Sequence, residues 1–286
     1  DQEIVFHNAS IIPSANSGDG QFFHSNIRGT QSLIDMLKQS GKTVRHLVHS
    51  SSISVYGEGA YNCNGCGQIR AHIRRKSTLV KDFEPKCPQC GRQLEPASVS
   101  EDADLNGCSS YAISKKAQEE MLIEASRRMG FRLTILRYST VYGPYLSEAN
   151  TYARFIKAIL FGKTIFLHED GLQSRDFIHV DDVVKANLSA IKHQSDDLLK
   201  VNVASGSDIS LQDFLKIASS IARAELGIRA PRILVTNSFS DGEIRQCKVD
   251  CSIARKYFDF NAQIKLETGL INWLNCYRYL VNLRTA

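Results

Sequence analysis

The order in which strand-like and helix-like segments alternate constrains the fold of this chain more than any other feature. Residues 3–8 form a short β-rich run, and Ile27, Leu33, Ile34 and Leu37 then recur at helical spacing over 22–39, with Gly41 placed to cap the end. Residues 47–51 read as a second strand, a helix starts near Ser109 and stops before Gly130, and residues 131–138 read as a third strand. This alternation predicts an α/β fold with a parallel sheet, because parallel neighbours need a crossover and a helix supplies it.

Beyond Pro144 the pattern changes to a helix over 150–161, a short strand over 164–167 and a helix opened by Asp181 and Asp182. A segment over 201–204, a helix capped by Ser210, a strand near 233–236 and an amphipathic helix over 266–283 complete a smaller, discontinuous lobe. With 286 residues, 43% of them apolar, the chain can bury a substantial core. No apolar run approaches the roughly 20 residues of a membrane span, and Asp1-Gln2-Glu3 lacks the pattern of a secretory signal, so a cytoplasmic protein without membrane contact is expected. The 35 basic and 30 acidic residues leave a charge of +5, too slight to argue for nucleic acid.

Four of the eight cysteines form two C-x-x-C pairs, Cys63/Cys66 and Cys87/Cys90, 20 residues apart. Gly67 and Gly91 follow them, which permits the tight turns of a tetrahedral thiolate knuckle and predicts a structural Zn2+ with a closed ligand shell. A redox C-x-x-C is the competing reading. Arg70, Arg74, Arg75 and Lys76 between the knuckles read as a solvated face, or as a nucleic-acid ribbon.

Tyr111 and Lys115 stand four apart on a predicted helix, so they share a face, and an ammonium near a phenol favours the phenolate and makes a base. The structural alternative is an exposed Lys stacked on a helical Tyr. Ser50-Ser51-Ser52-Ile53-Ser54-Val55-Tyr56-Gly57 leaves the second strand at its carboxyl end, where open parallel sheets place ligands. Downstream come Arg137-Tyr138-Ser139-Thr140-Val141-Tyr142-Gly143-Pro144 and Ser174-Arg175-Asp176-Phe177-Ile178-His179-Val180-Asp181-Asp182.

This ordered set resembles the extended short-chain dehydrogenase/reductase superfamily, in its nucleotide-sugar epimerase and dehydratase branch. The resemblance implies a Rossmann-type doubly wound sheet with bound NAD, spread over residues 1–59 and 98–144. It further implies an inserted zinc ribbon over 60–97 and a mainly substrate-binding lobe over 145–286 with segments returning to the first domain. Tyr111 would be the base, Lys115 would hold the nicotinamide ribose, and Ser52, with Ser54, would meet the sugar. Ser50, Ser51, Tyr138 and Val141 would line the cofactor, while Thr140 and Arg175 would meet the nucleotide sugar, Arg175 at its diphosphate. The alternative for Arg175 is an ion pair with Asp176 or Asp181. A homodimer through the Tyr111 helix is implied as well.

The dehydratases follow the serine position with an Asp-Glu pair, whereas Ile53-Ser54 stands here, so epimerisation at one carbon is expected instead. The insertion and its flanks resemble the zinc-ribbon subgroup that acts on dTDP-L-rhamnose, which implies its interconversion with dTDP-6-deoxy-L-talose. A UDP-hexose 4-epimerase, a related reductase and a non-catalytic scaffold are the alternatives. Three departures stand out. Thr140 replaces the usual Asn, and Ser240 replaces a second diphosphate Arg, for which Arg245 is the remaining candidate. No Gly-x-x-Gly-x-x-Gly turn precedes a helix, and residues 3–8 resemble the family's fourth strand, so a fragment or truncated product without the first three strands is expected.

Overall fold

A computed structural model describes residues 3–13, 18–41, 44–71, 74, 83–193, 197–239 and 242–285. Strand β1 (Ile4–His7) leads through the short helix α1 (Asp19–Phe22) and a π-helical segment, Phe23–Arg28, into α2 (Gly29–Gln39) and then β2 (His46–Ser52). The insertion carries β3 (Ala60–Cys63), β4 (Gly67–Ile69) and β5 (Glu95–Ala97). Then come α3 (Ser110–Met129), β6 (Arg132–Tyr138), β7 (Thr140–Tyr142), α4 (Thr151–Leu160), β8 (Ile165–Leu167), β9 (Ser174–His179) and α5 (Val180–Lys192). The chain finishes with β10 (Leu198–Val203), β11 (Asp208–Ser210), α6 (Leu211–Leu226), β12 (Ile233–Val235), α7 (Ser252–Phe258) and α8 (Leu266–Thr285).

The main sheet is parallel throughout, in the order β1-β2-β6-β10. Successive residues of β2 face opposite ways. Leu47 joins Ile34, Leu37, Leu122 and Ile135 in the core beneath α2 and α3, while Val48 joins Leu136, Val183, Ala186 and Val201 in the core beneath α5. Helices therefore cover both faces, as an all-parallel sheet requires. The second lobe is built on the sheet β11-β9-β7 and the pair β12-β8, around Phe177 stacked on Phe214 at 4.4 Å and around the buried Trp273.

Local signals set most boundaries. Ser109 Oγ accepts from the Ala112 N–H at 3.2 Å to start α3, and Gly130 ends it at φ 75°. The helix expected over 22–39 is present and carries a π turn, Phe23–Arg28, that its spacing did not show. Asn26, wholly buried there, uses its amide on both backbone groups of Ile11 and on Ser114 Oγ (2.8, 3.3 and 2.9 Å), and the wider turn accommodates it.

Candidate active site

The carboxyl ends of β2 and β6 open onto a cleft of about 400 Å³, which adjoins a second of about 810 Å³ toward α4 and β8. Ten of the residues singled out in the sequence line the first: Ser50, Ser51, Ser52, Ser54, Tyr111, Lys115, Tyr138, Thr140, Val141 and Arg175. Ser54, Tyr111 and Arg175 line the second as well.

Tyr111 lies in the first turn of α3 and hydrogen-bonds the Ser52 side chain. Phe22 packs edge-on against its ring at 5.8 Å. Burial pushes the phenol up to about 12, against the opposing effect of the Ser52 hydroxyl. The expected lowering by Lys115 is absent, and the ammonium is bonded elsewhere: Nζ donates to Ser10 Oγ and to the Ser50 carbonyl, both at 2.7 Å. Burial pushes Lys115 down to about 8, with the Glu119 charge opposing.

Around this pair, Ser50 Oγ donates to Asn8 Oδ1 at 2.6 Å and lies 3.1 Å from Tyr138 Oη, which Asn187 also holds. Ser51, expected at the cofactor, spends its hydroxyl on Glu119 Oε1 at 2.5 Å. Ser54 Oγ is buried with no partner among the described residues, although it borders both cavities. Thr140 shares a hydrogen bond with Tyr152.

Arg175 pairs with neither Asp176 nor Asp181. Its Nη2 lies 3.7 Å from Glu243 Oε2, and Asp176 instead accepts from Ser139 Oγ and from the N–H groups of Ser205, Gly206 and Ser207. Arg245, the candidate for a second diphosphate contact, does not line the cleft. It is wholly buried and bonded to Glu169 Oε2 (2.9 Å), Asp170 and Glu84, so its guanidinium has no donor left to offer a ligand. Ser240 lies outside the described residues.

In the insertion, β3 pairs antiparallel with β4 and β5, and all four thiol sulfurs of Cys63, Cys66, Cys87 and Cys90 lie within 4.8 Å of one another. Gly67 and Gly91 adopt φ 78° and 71° at the two knuckles. The Gly65 amide leads in holding the Cys63 thiol down to about 7. Four convergent sulfurs at these separations fit a tetrahedral Zn2+, whose Zn–S bonds of ~2.3 Å place sulfurs about 3.8 Å apart. The basic run is not a solvated face at Arg74, which is buried; Arg75 and Lys76 lie outside the described residues.

One functional neighbour, Glu119, escaped the sequence reading, and a second, Asp176, was noted there only as a candidate partner of Arg175. Glu119 accepts a two-pronged bond from Arg137 (Nε 3.0 Å, Nη2 2.7 Å) besides the one from Ser51. Its place at four residues past Lys115 and eight past Tyr111 on the same helix face was the available signal. The actual partners of Asp176 gave no such signal, because they come from Ser139, 37 residues away, and from a loop about thirty residues away.

A doubly wound parallel sheet with a Ser, a Tyr and a Lys gathered at its carboxyl edge defines a Rossmann-type enzyme of the short-chain dehydrogenase/reductase kind. The chain belongs to the NAD dependent epimerase/dehydratase family, which it matches over residues 1–72 and 87–204. It is 31% identical to the dTDP-L-rhamnose 4-epimerase of Burkholderia thailandensis over 274 residues, 94% of this chain and 73% of that one. It is 27% identical to the UDP-glucuronate 4-epimerase of Thermodesulfobacterium geofontis, over 88% of this chain and 65% of that one. Among solved structures, MoeE5 in complex with UDP-glucuronic acid and NAD superposes with a TM-score of 0.77 at 26% identity, covering 97% of this chain and 80% of that one. Among the described residues no helix is long and apolar enough to cross a membrane.

Proposed function

We propose that this chain is an NAD-dependent nucleotide-sugar 4-epimerase, and that its substrate pair is dTDP-L-rhamnose and dTDP-6-deoxy-L-talose. The observation that carries the reading is the convergence of Ser52, Tyr111, Lys115 and Arg175 on one cleft. The cleft fits the nicotinamide end of NAD: Lys115 uses two of its three donors on Ser10 and Ser50, leaving one for a ribose hydroxyl. NAD, when bound, supplies the oxidant and then the reductant for the sugar carbon whose configuration inverts.

This chain's residues do the rest. As the phenolate, Tyr111 Oη takes the proton from the C4 hydroxyl and, as the phenol so formed, returns it after the sugar has turned over in the pocket, while Ser52 holds that oxygen in reach; the positive nicotinamide of bound NAD would favour that phenolate over the buried phenol. Arg175 receives the diphosphate, which displaces the Glu243 carboxylate from the guanidinium. With Ile53-Ser54 after Ser52, no carboxylate pair stands there to eliminate water. Zn2+ bound by Cys63, Cys66, Cys87 and Cys90 would close the ribbon, and α3, whose Ile113 is half exposed, would pair two copies.

Similarity to the Burkholderia enzyme and the Cys-bearing insertion support the dTDP sugar. Ile12, Pro13, Ile53 and Ile244 on the cleft wall also suit a deoxy sugar, since they offer a methyl group contact and a carboxylate none. A UDP-hexose 4-epimerase is the second reading, favoured by the likeness to UDP-sugar 4-epimerases such as that of Thermotoga maritima (TM-score 0.75, 25% identical, 98% of this chain and 78% of that one). Turnover of dTDP-L-rhamnose against UDP-galactose and UDP-glucuronate, followed by NMR at C4, decides between them. A kcat/KM for the dTDP sugar at least about 100-fold higher is expected. Turnover of the UDP sugars alone overturns the first reading, and no turnover with NAD added overturns both.

A further inference from the structure

The insertion sends the Arg74 side chain into the body of the enzyme. Arg74 belongs to the Cys-bearing segment, yet its side chain is 4% exposed, with Nη1 2.9 Å from Glu169 Oε1 and Nε 3.4 Å from Glu58 Oε2. Nη2 donates to the Glu243 carbonyl at 2.9 Å, and the guanidinium lies 5.0 Å from the centre of the Phe239 ring. Both carboxylate partners are shared with Arg245: Glu169 Oε2 accepts from its Nη1 at 2.9 Å, and Glu58 Oε1 accepts from its backbone N–H at 2.8 Å.

The segment gripped in this way is a wall of the substrate cleft. Its Glu243 and Ile244 face the larger cavity, and Ile244 and Cys247 the smaller. The Arg245 carbonyl accepts from the Ser174 N–H at 3.0 Å and from Arg175 Nη1 at 3.4 Å, while the Glu243 carboxylate faces Arg175 Nη2. Arg74 therefore holds from behind the same stretch of backbone that aims Arg175 from the front.

We propose that Arg74 is a positioning residue, through which the inserted ribbon fixes residues 243–245 and so aims Arg175 at the diphosphate of the substrate. This rests on the nucleotide-sugar reading of the cleft. A guanidinium serves two carboxylates and a carbonyl at once because its five donors diverge in a plane, and a lysine ammonium at the same site cannot reach all three.

Two variants test it. Arg74→Lys keeps a cation between Glu58 and Glu169 and is the variant that decides if Arg74→Gln does not fold. In folded Arg74→Lys, the KM for the nucleotide sugar and the Kd for dTDP by calorimetry are each expected to rise about tenfold, with kcat and NAD content within about twofold of wild type. Equal dTDP binding by wild type and Arg74→Lys overturns the positioning role alone. A joint fall of kcat, NAD content and dTDP affinity also overturns it, since that marks general damage. A wild type that binds neither dTDP nor UDP overturns the nucleotide-sugar reading and this proposal with it.

Discussion

Lys115 Nζ lies 2.7 Å from the Ser50 carbonyl, so the ammonium one helical turn from Tyr111 is tied to the end of β2 and not to the phenol. The helix brings the two side chains to one face, but the strand decides where the charge goes. Burial pushes Tyr111 up to about 12 and Lys115 down to about 8, which favours the neutral form of each.

Replacing Tyr111 with Phe removes the proton carrier and leaves the packing against Phe22 intact. We expect kcat to fall by at least about 100-fold with the KM for the nucleotide sugar within a few-fold of wild type. Steady-state kinetics with NAD saturating check this, and an unchanged kcat excludes Tyr111 as the base.

Burying a charged Lys115 destabilises the fold. Its pKa drops from 10.5 to about 8, which costs about 3 kcal/mol where the group stays protonated in both states. Leaving the Ser50 carbonyl without its donor costs about 1–2 kcal/mol in the other direction, so Lys115→Met at pH 7 should raise Tm by about 2–4 °C while activity falls. The sign with pH follows from the depressed value. The unfolded chain binds more protons between pH 8 and 10.5, so wild type gains stability across that window and its deficit against the variant shrinks. Thermal melts of both proteins across the window read this directly.

Glu243 competes with the substrate for Arg175. Glu243→Gln keeps the side chain's shape and the carbonyl that Arg74 holds, yet removes the charge 3.7 Å from Nη2. Nucleoside diphosphate affinity should rise about three- to tenfold at low salt, and the gain should shrink at high salt because the pair is only partly buried. Titration of dTDP at two ionic strengths measures it; weaker binding would mean that Glu243 holds substrate and does not oppose it.

Metal analysis should find one Zn2+ per chain, and Cys87→Ser should lower its retention against a chelator by at least about tenfold, since three thiolates leave the fourth position to water. Proteolysis confined to residues 60–97 after chelation is the expected companion, with the helical circular dichroism of the helices that cover the main sheet retained. Full zinc loading of Cys87→Ser would count against the four-sulfur site.

Much of the fold was legible because its signals are local. Ser109 and Gly130 bracket α3, Ser210 starts α6, and Leu47 and Val48, adjacent apolar residues of β2, face opposite cores. The π turn at Phe23–Arg28 was not legible, because it answers to the burial of Asn26 against Ile11 and Ser114, the latter 88 residues away.

By itself, the sequence determined the order of strands and helices, the four converging thiols, and a Ser, a Tyr and a Lys at the edge of a parallel sheet. Periodicity and caps suffice for the elements, since these depend on residues a few positions apart, while the thiols and the Ser, Tyr and Lys were legible from motifs whose halves lie further apart in the chain. Only the tertiary structure decided that Arg245 is consumed by Glu84, Glu169 and Asp170, that Arg74 is buried, and that Glu243 faces Arg175. A charged side chain takes the partner that burial brings to it, and for Arg245 those partners lie 161 and about 75 residues away in the chain.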